Sequence, residues 1–138
     1  MLKKNIKYTD YNNEERSEDF YFNLSQAECM EMELSTNGGM QQLIEKIVSE
    51  KDNAKIVEMF KKIILRSYGI KSPDGRKFEK SEAISKDFES TEAYSVLFME
   101  LATNADAAAE FIRGVFPASA ANVANNAQNN MSVLPSGN

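Results

Sequence analysis

Two periodicities divide this chain. In "FYFNL", Phe20, Phe22 and Leu24 fall on one side and Tyr21 and Asn23 on the other, a period of two that predicts a strand. Upstream, Ile6 and Tyr8 alternate with Lys7 and Thr9 in the same way. The polar run "NNEERSED" separates the two segments, so residues 1–24 read as a long-looped β-hairpin. The period then changes to 3.6. Ser25 and Glu28 have the spacing of a capping box, in which two side chains satisfy free amides at a helix N-terminus. Ala27, Met30 and Leu34 predict the inner stripe of that helix, which "TNGG" at 36–39 breaks. Met40, Leu43, Ile44, Ile47 and Val48 predict a second helix.

The third helix has the clearest stripe: Ile56, Met59, Phe60, Ile63 and Ile64, with Asp52 as its expected cap. Glu58 precedes Lys62 by one turn, and Lys61, Lys62 and Arg66 suit the negative end of the helix dipole. Gly69 is expected to close it as the C′ residue. Pro73, Asp74 and Gly75 then predict a tight turn, with Ile70 and Phe78 paired across a small hairpin. Further helices are predicted near 81–88, 92–102 and 105–115. Thr91 and Asn104 are the expected caps of the last two. Tyr94, Leu97, Phe98 and Leu101 share one face, and Ala108, Phe111, Ile112 and Val115 share another. Pro117 ends the pattern, and no residue from Gly114 to Asn138 is charged.

The predicted fold is therefore mainly α with a small N-terminal β-hairpin, an α+β arrangement. It comprises a single compact helical domain over residues 1–117 and a flexible uncharged tail over 118–138. Phe60, Ile63, Ile64, Leu97, Phe98, Phe111 and Ile112 are expected in the core.

Composition narrows the function. At 138 residues, 42% apolar and 27% charged, the chain suits one globular domain. A net charge of -5 argues against nucleic acid, whose phosphates call for a basic surface. No apolar run approaches the roughly 18–20 residues that span a bilayer, so no membrane segment is expected. "MLKKNIKYTDY" lacks the apolar centre of a signal peptide. Cys29, the sole cysteine, forms no internal disulfide, which fits a reducing cytosol. Histidine is absent, which removes the commonest general base and metal ligand. No catalytic residue, cofactor or metal is expected.

The remaining candidates concern binding. Asp74-Gly75 fails as a calcium loop, because Arg76, Lys77 and Phe78 follow where oxygen ligands are needed. Glu28 is explained by capping, and Glu31 and Glu33 point apart, which suits a solvated face better than paired acid–base carboxylates. Cys29, beside Glu28, lacks the cationic setting of a reactive thiol and is expected to be a small buried or half-buried residue. Met30, Met32, Leu34 and Met40 either complete the core or form an apolar patch for a client or for self-association. Glu28, Glu31, Glu33 and Glu45 would then form an acidic rim. Lys71, Arg76 and Lys77 decorate a turn that serves either as a connector or as a partner contact.

Three segments in order, "YTDYNNEERSEDFYFNLSQAECMEMELS", "IILRSYGIKSPDGRKFEKSE" and "STEAYSVLFMELATNADAAAEFIRGVFP", resemble the tail assembly chaperones of long-tailed, siphovirus-type bacteriophages of Gram-positive hosts. The resemblance runs from about residue 7 to residue 117 and departs at the hairpin tip, where Asn13 stands in place of a common glycine. It implies a non-enzymatic protein of the host cell cytoplasm that binds the tape measure protein, a very long, helical, aggregation-prone chain. Such a chaperone keeps that client soluble while tail tube protein polymerises around it, and is absent from the mature virion. A longer form made by ribosomal frameshifting is common in such systems. The alternative is a structural virion component, such as a minor tail or head–tail connector protein.

Overall fold

The alternating N-terminal segment builds two antiparallel strands, β1 (Leu2–Thr9) and β2 (Glu15–Phe22), in register from Leu2 opposite Phe22 to Thr9 opposite Glu15. The computed structural model describes residues 1–31, 45, 49 and 53–117. The loop is shorter than the polar run suggests, because β2 already begins at Glu15. Polar residues hold a strand here because one face of the hairpin is solvated and its side chains pair across it. On that face Asn5 donates to Asp19 at 3.0 Å, and Ser17 donates to Asn5 at 3.0 Å. At the tip, the Asp10 carboxylate accepts from the amides of Asn12 and Glu14 at 2.8 and 3.0 Å. Asn13 takes φ 63°, a left-handed backbone that asparagine tolerates better than most residues, so it can stand in for glycine.

Next come α1 (Gln26–Glu31), α2 (Asn53–Ser67), β3 (Tyr68–Lys71), β4 (Phe78–Glu79), α3 (Glu82–Glu89), α4 (Glu92–Thr103) and α5 (Ala105–Val115). Among the described residues the sheet order is β1-β2-β3-β4, with every neighbouring pair antiparallel. This is the expected α+β class, with the sheet extended by two short strands. The Asp52 cap and the helix predicted over 40–48 lie outside the described residues, save that Glu45 is helical and exposed.

Three local expectations are corrected. Gly69 does not close α2; it lies in β3 opposite Tyr21, because the chain passes directly from helix to strand. Its bare Cα is needed there, since a Cβ would sit 2.7 Å from the Phe78 ring and 2.9 Å from the Glu79 carbonyl oxygen. Ile70 pairs with Glu79 and Lys71 with Phe78, one residue off the expected pairing, so Ile70 faces solvent while Phe78 leans on Gly69. In α1, Ala27 and Met30 are exposed and Cys29 is buried, the reverse of the predicted inner stripe.

The core lies between the sheet's inner face and the helices. Phe60, Ile63, Ile64, Leu97, Phe111 and Ile112 are buried as expected, and Phe98 is half-buried against them. Aromatic rings join the two layers. Phe88 stacks on Tyr68 with centroids 4.2 Å apart and meets Phe22 and Tyr94 edge-on at 5.8 and 5.9 Å. Thr91 and Asn104 accept from the amides of Tyr94 and Ala107, as their cap positions predict. The Leu24 amide donates to the Val115 carbonyl at 2.8 Å, which ties the end of the hairpin to the end of α5.

Candidate partner-binding surface

The sequence places Met30 two residues after a capping glutamate, and the structure shows how that cap aims it. Ser25 and Glu28 close the predicted box: the Ser25 amide donates to the Glu28 carboxylate at 2.8 Å, and the Glu28 amide donates to Ser25 Oγ at 3.1 Å. Lys80 arrives from the segment between β4 and α3. Its ammonium donates to both Glu28 oxygens at 2.7 and 2.8 Å, to the Asn23 carbonyl at 2.6 Å and to the Arg66 carbonyl at 2.8 Å. An ammonium has three protons, so the two carboxylate oxygens share one of them. Both side chains are largely withdrawn from water. Burial pulls the Lys80 pKa below the ordinary lysine value, against the pull of Glu28. Burial pushes the Glu28 carboxyl up, but the Lys80 ammonium and the Ser25 amide outweigh it and hold its pKa below 4.5.

Beyond the cap, Arg66 reaches Glu31 at 3.4 Å. The helix is therefore held at its N-terminal cap, with a surface ion pair to Arg66 beyond it. Its rotation is set by Glu28, which turns Cys29 into the core and leaves Met30 69% exposed. Burial and the nearby Glu28 raise the Cys29 pKa, so this thiol is a packing residue, as its sequence setting predicts. Beside the Lys80–Glu28 pair runs a groove of about 450 Å³, bordered by Leu65, Arg66, Ser85, Lys86 and Glu89. Its wall carries both signs of charge.

Lys71, Arg76 and Lys77 lie together on the β3–β4 turn, all exposed. The turn is rigid. Asp74 accepts from the Ser72 hydroxyl at 2.7 Å and from the Arg76 amide at 3.0 Å, and Gly75 takes φ 77°. One Asp74 oxygen is thus committed to shaping the turn. Among the described residues, no group of acidic or cysteine side chains is arranged to hold a metal ion.

Of the expected patch, Met30 is exposed as a partner surface requires, whereas Met32, Leu34 and Met40 lie outside the described residues. In the expected rim, Glu28 is consumed by Lys80 and drops out. Glu31 remains largely exposed, Glu45 is exposed, and Glu33 lies outside the described residues. Lys80 is the residue that sequence reasoning misses. Its partners are 14 to 57 residues away, so no local spacing announces it.

A family model described as phage tail assembly chaperone matches residues 1–136. No curated protein and no solved structure matches the chain. Among the described residues, no helix is long and apolar enough to cross a membrane.

Proposed function

Because this chain belongs to the phage tail assembly chaperone family, we propose that it binds the tape measure protein in the host cytoplasm, keeps it soluble while the tail tube assembles around it, and stays out of the finished particle. The observation that carries this reading is Met30, exposed on a helix whose capped N-terminus is held by Lys80. A solvent-facing methionine on a capped helix offers an apolar contact that adapts to side chains of varied shape. A helical client presents such contacts at i, i+3, i+4 and i+7. In this reading Met32, Leu34 and Met40 continue the patch, and Glu31, Glu33 and Glu45 favour basic flanks on the client. Lys71, Arg76 and Lys77 form a second contact, to the same client or to tail tube protein. The work is binding alone, with no covalent step. The binding unit is residues 1–117.

Co-purification with tagged tape measure protein tests the reading. Wild type is expected to co-purify. Met30→Asp is expected to keep its melting temperature and lose most of the client. A Met30→Asp protein that binds unchanged would move the client away from α1. Mass spectrometry of purified particles separates the structural alternative, because a minor tail or connector protein would be found there in stoichiometric amount.

A further inference from the structure

Strand β1 stands at one side of the sheet. Among the described residues its backbone is bonded to β2 and to no other element. Eight residues make a long edge, and free amides and carbonyls along it form a template for another strand. Two observations define which strand would fit.

The first is charge. Lys3, Lys4 and Lys7 are the only charged residues of β1, in a chain of net charge -5. Lys3 and Lys7 lie on the solvated face, opposite Tyr21 and Ser17, and neither has an acidic partner among the described residues. The second is shape. A groove of about 350 Å³ opens beside β1, where α4 and α5 approach it. Leu2, Ala107 and Phe111 supply its apolar lining, the Lys4–Glu100 pair at 3.2 Å borders it, and the Glu110 carboxylate at its wall disfavours an acidic residue on this inner side, which is why the apolar residues of the segment belong here. Residues from both faces of β1, Lys3 and Asn5 as well as Leu2 and Lys4, line the groove, so it opens along the edge of the strand.

We propose that the β1 edge binds an extended segment of a partner protein as an added strand, and that this segment alternates acidic residues, facing Lys3 and Lys7, with apolar residues that enter the groove beside Leu2 and Phe111. A second copy of this chain is a poor occupant, since antiparallel pairing of β1 with β1 brings two strands of charge +3 together and, centred on Asn5, sets Lys3 opposite Lys7 twice. None of the residues that line this groove belongs to α1, so the inference goes beyond the helical-client reading and stands whether or not that reading holds.

The probe is a capped octapeptide of alternating glutamate and valine, with a lysine–valine peptide as control. The glutamate peptide is expected to bind, more weakly as salt rises, and to slow hydrogen exchange at the β1 amides that do not bond to β2. The lysine peptide is expected not to bind. The double variant Lys3→Glu/Lys7→Glu should reverse the preference, with affinity for the glutamate peptide falling roughly tenfold or more. Both positions are exposed. Should that variant fail to fold, Lys3→Gln/Lys7→Gln carries the test, with a loss of preference in place of a reversal. Equal binding of the two peptides, β1 exchange unchanged at saturating peptide, or sedimentation showing that the protein dimerises through β1, would each overturn the proposal.

Discussion

Lys80 shows how much one side chain can hold in this protein. Its ammonium joins the end of β2, the cap of α1 and the last turn of α2 through bonds of 2.6 to 2.8 Å. Lys80→Met would strand two carbonyls and a largely withdrawn carboxylate. The expected cost is about 2–4 kcal/mol, read by chemical denaturation. An unchanged midpoint would show that water replaces the ammonium. The partner residue gives a pH signature. Glu28 has a folded pKa below 4.5, so its ionised form stabilises the fold above that value, and the contribution is lost as pH falls through the lowered folded value. The stability gap between wild type and Glu28→Gln should therefore be full at neutral pH and close below 4.5. A gap that stays constant into that acid range would contradict the ion pair. The box itself was legible in the sequence because its two residues are three apart. Lys80 was not, because its carboxylate partner is 52 residues away.

Elements were legible wherever a long period met a local cap. The α2 stripe, the faces of α4 and α5 and their Thr91 and Asn104 caps all follow from spacing alone. Phe60→Ala is expected to cost about 3–5 kcal/mol, because Phe60 is buried in that stripe and the surrounding core relaxes only in part. Thermal unfolding measures it, and an unchanged melting temperature would remove Phe60 from the core. Short elements were harder. In α1 the described residues, 26–31, bury Cys29 and expose Met30, an orientation that its cap and Lys80 favour and that spacing did not predict. Gly69 carries the local signal of a helix stop, yet its role comes from the Phe78 ring across the hairpin. Gly69→Ala should accordingly destabilise by roughly 1–3 kcal/mol, the range for overpacking. If stability is unchanged, the Phe78 ring moves aside without cost. The candidate surface was legible only in part: Met30 and the basic turn stand out by residue type, whereas the loss of Glu28 from the acidic rim depends on a contact distant in sequence.

For the whole molecule, the hairpin and α5 close on each other through the Leu24–Val115 bond, with Phe116 buried beside it. Truncation after Pro117 is therefore expected to leave the melting temperature nearly unchanged. A large loss would place residues 118–138 in the folding unit. The family model extends to residue 136, so the same truncation also asks whether those residues serve assembly rather than folding. The central claim is that this fold keeps a long helical client in solution. The most direct test is the soluble fraction of the tape measure protein, produced alone and together with this chain. The account predicts that the tape measure protein aggregates alone, becomes soluble with the wild-type chain, and aggregates again with folded Met30→Asp. A tape measure protein whose solubility is the same with and without the wild-type chain would contradict it.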